Sequence, residues 1–282
     1  MVLQPSDDIA FDANTSTNSI PRSLQLINEV KMQGTLCNTI CHYKGMTYVG
    51  TNGGHLFRII DDKTAISKSI QLKNPVLSIR VCDDQLLIHA KGNPRHLLYR
   101  YSLGGNCLGE WTLQDSNSST AYGCKLCVID NQLYMADSFN QRISCYTLNG
   151  DVVRHIPCQQ LPKGGRISMC QVSRNSLVFT DEHHSKVVKM NFRTGDVEWE
   201  SSHIREPGGV ALYGLDRLII ANRSEALKLW ILNINTGEYW TWRIKRFCFL
   251  WVGSAVDVVY IWVQVIAFCC CLFWEQRIVH VL

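Results

Sequence analysis

Several side-chain groups have types and spacings that could do chemistry. His183 and His184 follow Asp181 and Glu182, and imidazoles beside carboxylates invite a metal reading. Adjacent residues of one loop seldom converge on an ion, and no third ligand is specified, so a solvated loop is expected there. Cys124 and Cys127 have CxxC spacing, but no second pair follows at zinc-ribbon distance. On a strand their sulfurs would point to opposite faces, which makes them core residues. Cys37 and Cys41 read the same way. Cys269, Cys270 and Cys271 would suit palmitoylation beside a membrane. No Gly-x-Ser-x-Gly elbow or other nucleophile signature occurs, so neither a catalytic residue nor a metal or cofactor is expected.

A second group is suited to binding. Lys91, Arg95, Tyr122, Phe139, Arg142, Lys163, Arg166, His183, Lys186, Arg205 and Arg223 alternate along the chain with Asp115, Glu182, Glu206 and Glu225. Cations and aromatics mixed with acids favour a protein partner, because single-stranded RNA wants a net basic groove with stacking rings. RNA stays the alternative. What these residues can do depends on whether the fold gathers them.

The chain has 282 residues, 46% hydrophobic and 18% charged, enough to bury a substantial core. A net charge of +4 is too mild to mark a dedicated nucleic-acid binder. The first residues have neither a basic segment nor an apolar one, so no secretory signal is read and the thirteen cysteines are expected to be reduced thiols in the cytoplasm. The sequons at Asn14, Asn117 and Asn222 are accordingly read as chance.

Internal repetition decides the fold. Strand-like runs ending near Gly50, His89, Ala136, Thr180 and Ala221 recur at steps of 39, 47, 44 and 41 residues, the period of a β-propeller blade. Within each step, short Val-, Ile-, Leu- and Tyr-rich runs are separated by turn residues. Asn149-Gly150, Thr194-Gly195-Asp196 and Thr236-Gly237-Glu238 are expected hairpin turns, since Gly and Asn accept positive φ. The expectation is an all-β chain with five four-stranded meanders over residues 36–238. Residues 1–35 are read as a linker able to supply a closing strand, and 239–282 as an apolar tail.

The unit Ala136-Asp137-Ser138-Phe139-Asn140-Gln141-Arg142-Ile143 resembles the core of the NHL repeat, and Pro207-Gly208-Gly209-Val210-Ala211 resembles its opening. The resemblance covers roughly residues 36–238 and implies an incomplete six-bladed NHL-type ring acting as a binding platform. Residues 5–14 resemble the linker ahead of the propeller in B-box and tripartite-motif proteins. No RING or B-box cysteine and histidine pairs are present, so of that context only substrate recruitment for a ubiquitin ligase carries over. Two rival resemblances exist. Some six-bladed propellers are calcium-dependent lactonases or esterases, and Thr51, Asp137, Asp181 and Asn222 sit at strand ends where ligands could stand. In the NHL pattern that Asp instead ties neighbouring hairpins together. Thr194-Gly195-Asp196-Val197-Glu198-Trp199 is similar to the Thr-Gly-x-x-x-Trp docking element of quinoprotein propellers, and Thr236-Gly237-Glu238-Tyr239-Trp240 is a shortened version.

After Glu238 the repeat grammar stops. Residues 247–273 are apolar over a length that spans a bilayer as a helix, and Arg243, Lys245 and Arg246 precede them, which would leave the propeller cytoplasmic in a tail-anchored topology. Asp257 opposes insertion. The competing readings are a gene-model artefact standing where a sixth blade belongs, and a deviant sixth blade.

Overall fold

The structure is a computed structural model that describes residues 26–31, 37–60, 66–116, 126–163, 167–213, 215–222, 228–243, 258–263 and 274–281. A first strand, β1 (Leu26–Lys31), precedes five four-stranded antiparallel sheets, each ordered as the chain runs. Blade 1 is β2 (Cys37–Tyr43), β3 (Met46–Thr51), β4 (His55–Ile60) and β5 (Ile66–Gln71). Blade 2 is β6 (Val76–Cys82), β7 (Gln85–Ala90), β8 (Leu97–Ser102) and β9 (Cys107–Thr112). Blade 3 is β10 (Leu126–Ile129), β11 (Gln132–Asp137), β12 (Arg142–Tyr146) and β13 (Val152–Pro157). Blade 4 is β14 (Ile167–Gln171), β15 (Ser176–Asp181), β16 (Lys186–Asn191) and β17 (Val197–Ser201). Blade 5 is β18 (Pro207–Tyr213), β19 (Arg217–Asn222), β20 (Lys228–Asn233) and β21 (Tyr239–Arg243), so its outer strand runs past residue 238.

The first strand of each blade packs against the first strand of the next, from β2 through β6, β10 and β14 to β18, and these five strands line the axis. The expected anchors Gly50, His89, Ala136, Thr180 and Ala221 each fall one residue before the end of the second strand. Repetition of an antiparallel meander about an axis is the architecture of a β-propeller.

Burial follows from that stacking. Blades 2 to 4 are covered on both faces by neighbouring blades, and the inner strands have no solvent side: β3, β7, β11 and β19 are buried after their first residue, and β15 throughout. Outer strands, half uncovered, alternate between exposed and part-buried positions in β5 and β9. On β15 the pleat divides neighbours between two interfaces: Leu177 and Phe179 join the core shared with blade 3, and Val178 the core shared with blade 5. Side chains stitch the blades further. The Ile79 amide donates to Thr39 Oγ1 at 3.2 Å, and the Val210 amide to Ser168 Oγ at 3.4 Å. Trp199 Nε1 donates to the Ile234 carbonyl of blade 5 at 2.8 Å, so this Thr-Gly-x-x-x-Trp element docks one blade on the next.

The expected glycine turns take positive φ, 87° at Gly150, 86° at Gly195 and 73° at Gly237. A second turn set was not foreseen. Lys44-Gly45, Asp83-Asp84 and Asp130-Asn131 close the first hairpins of blades 1 to 3 with positive φ at both residues, the I′ geometry that matches strand twist.

The two ends of the chain share a sheet in which β1 pairs antiparallel with β23 (Trp274–Val281), and β23 pairs parallel with β22 (Val258–Val263). Its order and parallel pair differ from the meander of the five blades. No sixth four-stranded blade of that kind occurs among the described residues. Of the expected membrane segment 247–273, residues 258–263 are strand and the rest lies outside the described residues. No helix among the described residues is long and apolar enough to cross a membrane.

One electrostatic contact on blade 4 predicts a pH effect. Burial works to raise the Glu198 carboxyl, but the Ser176 hydroxyl and the Lys189 ammonium, 2.9 Å from Glu198 Oε2, outweigh it and hold its pKa below the ordinary 4.5. A carboxylate with a lowered folded value contributes stability that is present above its unfolded value and is lost as pH falls through the folded one. Glu198→Gln should therefore cost about 0.2–1 kcal/mol at neutral pH and flatten the acid limb below 4.5 in urea titrations. Parallel limbs for variant and wild type would contradict this coupling.

Candidate functional site

Because strand direction reverses at every turn, the loops between second and third strands and the connectors between blades emerge on one face. That face carries residues 52–54, 91–96, 138–141 and 182–185 together with 72–75, 113–116, 158–163 and 202–206. The I′ hairpins lie on the opposite face, so the binding candidates share the side with the longer connectors, where loop variation costs the scaffold least.

Arg95, Phe139, Lys163, His183 and Arg205 are exposed there, Phe139 at 61%. Lys91, half-buried, is on the same face, its carbonyl accepting from Asn74 Nδ2 at 2.9 Å. Two other candidates are engaged within the chain. Lys186 Nζ stands 2.7 Å from Glu200 Oε1. Arg142 bridges blades, with Nε 3.0 Å from Asp137 Oδ2 and Nη2 3.0 Å from Asp115 Oδ2. His155 Nε2 also reaches Asp115 Oδ2 at 3.1 Å, while its Nδ1 meets Ser144 Oγ at 3.1 Å. The hydrogen bond from Arg142 and its charge, then His155, hold the Asp115 carboxyl below the usual aspartate value. Ser144 is fully buried, which denies any substrate access to its hydroxyl. Arg142 is thus chiefly a tie between the connector and blade 3. Tyr122, Arg166 and Arg223 lie outside the described residues.

The strand-end carboxylates do something other than tie neighbouring hairpins. Asp137 Oδ1 accepts the Asn140 amide at 3.1 Å, and Asp181 Oδ1 the His184 amide at 2.9 Å, so each caps the turn of its own hairpin. Both are buried, as are Thr51 and Asn222. All four sit on second strands, one strand removed from the axis, and the two aspartates spend their oxygens on these turns. Asn222 is also too buried to accept a glycan in the folded chain.

His184 is oriented by its buried neighbour, with Nδ1 2.7 Å from Asp181 Oδ2 and the His183 ring edge-on at 4.8 Å. Among the described residues no three His, Cys, Asp or Glu side chains stand together as a metal site. Cys127 is buried, and seven described cysteines are free thiols; Cys124 and the side chain of Cys37 lie outside the described set.

The capping role of Asp137 is the feature sequence reasoning missed. Its signal was an Asp three residues before Asn140 in the strongest repeat, read there as a link between hairpins.

No protein-family model matches the chain, and no curated protein matches it. Solved structures do. A protein of unknown function from Bacteroides caccae aligns with TM-score 0.62 at 12% identity, covering 75% of this chain and 83% of that one. The WD40 β-propeller domain of Doa1 aligns with TM-score 0.55 at 12% identity, covering 79% of this chain and 73% of that one. At such identity the likeness is one of fold.

Proposed function

We propose that this chain is a non-enzymatic, NHL-type binding platform that engages a protein partner through the face carrying Arg95, Phe139, Lys163, His183 and Arg205. The observation that supports it most is the setting of Phe139. The ring is 61% exposed, yet the turn presenting it is capped by the buried Asp137 through the Asn140 amide and side chain. An aromatic held out by a fixed turn loses little conformational entropy on binding, which is the property of an interface anchor. Exposed cations share its loop face, with Glu206 and Asp115 among them, a mixture that suits a protein surface better than a polynucleotide. Propellers commonly serve as interaction platforms, and recruitment of a ligase substrate is the form the NHL resemblance suggests.

The test compares Phe139→Ala/Arg205→Glu with Leu215→Ser, whose side chain is 92% exposed on the opposite face. Partners captured by the wild type should be retained by Leu215→Ser and lost by the double variant, at about 2 kcal/mol or roughly thirtyfold in Kd for an anchor residue. Equal recovery by both variants would remove this face from consideration. Short single-stranded RNA should bind weakly in gel-shift titrations, with affinity falling as salt rises. Nanomolar, sequence-selective binding at physiological salt would put RNA ahead of protein.

A further inference from the structure

The five axial strands hold one Lys, Arg, Asp or Glu side chain between them, Arg80 of β6. Its cross-strand partner is Leu87, the third residue of β7. Cys41, Cys127 and Cys170 pair with Tyr48, Tyr134 and Val178, the third residues of β3, β11 and β15. Cys41, Arg80, Cys127 and Cys170 therefore occupy one level on four successive axial strands, which pack side by side. Cys41, Arg80 and Cys170 are part-exposed, whereas Ile40, Ile79, Val81, Met169 and Gln171 beside them in sequence are buried. Cys41 and Cys170 also pack against the cores shared with blades 2 and 5, so on strands that lie innermost in the ring the part of each side chain left open to water is the part nearest the axis.

The Arg80 guanidinium donates one hydrogen bond, from Nη1 to the Ile79 carbonyl at 2.8 Å, and no carboxylate pairs with it among the described residues. Its field is felt on both sides of the ring, lowering the thiol values of Cys41 in blade 1 and Cys170 in blade 4. Burial acts more strongly in the other direction and pushes both up, Cys170 to about 11. At neutral pH these strands thus hold neutral thiols around a cation that no carboxylate joins among the described residues. A cation in a confined interior is costly unless a counter-charge joins it, and the guanidinium fork matches a carboxylate or phosphate.

We infer that Arg80 makes the axial channel a binding site for a small oxyanion, a carboxylate or phosphate group, separate from the loop face. Arg80 lies two residues before Cys82, the β6 end that enters the Asp83-Asp84 turn, so the site belongs to the half of the channel away from Phe139.

The experiment uses the full chain, with inorganic phosphate and acetate titrated by calorimetry. In parallel, N-ethylmaleimide labelling is read at Cys41, Cys170 and the exposed Cys107 by peptide mass spectrometry. One of the two anions should bind saturably and slow labelling of Cys41 and Cys170 severalfold while Cys107 reacts at an unchanged rate; which anion does so separates the phosphate from the carboxylate source. Arg80→Met should weaken binding by about tenfold or more and abolish the protection, with Arg80→Lys intermediate and Arg174→Met, at an exposed turn arginine, unchanged. If Arg80→Met does not fold, the shortfall of Arg80→Lys decides. Absence of saturable binding by either anion, undiminished binding by the Arg80 variants, or equal slowing at Cys107 would overturn the assignment.

Discussion

Phe179→Ala should lower the melting temperature by about 6–20 °C. Phe179 is fully buried at the interface of blades 3 and 4, where it joins Tyr134, Ile143, Met169 and Phe192 in one core cluster. Truncating a buried phenylalanine removes its transfer free energy and leaves a cavity, about 3–5 kcal/mol together. For a chain of this size each kcal/mol corresponds to roughly 2–4 °C. The loss should be large because β15 sits between two blades and relaxation toward one would open the other. Val197→Ala on the outer strand β17, 38% exposed, provides the control and should stay within about 0.5 kcal/mol. Thermal melts of the two variants read the difference, and a Phe179→Ala shift no larger than the control would mean that blades 3 and 4 are not packed face to face.

Gly50→Ala should destabilise by overpacking, and Val76→Ala should rescue part of the loss. A Cβ at Gly50 would lie 2.3 Å from Val76 Cγ1 and 2.9 Å from both Val76 Cβ and Thr39 Cγ2. Val76 begins the axial strand of blade 2 and is fully buried, so the clash is between blades. Added volume in a filled core costs about 1–3 kcal/mol, and loss of the Val76 methyls alone about 2 kcal/mol. Together the two changes should cost less than their sum by about 1–3 kcal/mol, because each removes the other's cause. Additive costs in denaturant titrations would show that blades 1 and 2 do not meet at these atoms. The contact also explains why this repeat departs from the others, where His89, Ala136, Thr180 or Ala221 stands at the same place: the close approach of Val76 leaves no room for a side chain.

The repeat was legible where local chemistry announces itself. Ala136-Asp137 through Arg142-Ile143 carries its own turn cap, and Gly150, Gly195 and Gly237 occupy turns that need positive φ. It was faint in blades 1 and 2, whose second strands end in Gly50-Thr51 and His89-Ala90 with no capping aspartate. Asp83-Asp84 gave no turn signal, since positive φ at two aspartates is imposed by the register of β6 against β7 rather than preferred by the residues. The loop face was anticipated in outline, because antiparallel order alone places second-to-third turns and inter-blade connectors together. Which of its cations remain available was not. Arg142 and Lys186 look like any surface cation in sequence, and only the folded chain sets them against Asp115, Asp137 and Glu200.

The sequence by itself determined that this chain is a propeller, since period, strand composition and turn residues are local properties that each blade repeats. The tertiary structure decided what shares a surface. Nothing in the sequence sets Arg80 apart from other cations, yet it lies on β6, an axial strand that packs against the first strands of blades 1 and 3. The charge of Arg80 therefore acts on thiols that stand 39 residues before it, at Cys41, and 90 after it, at Cys170. Stacking blades about an axis brings one level of their first strands together, and no spacing along the chain encodes which side chains share it.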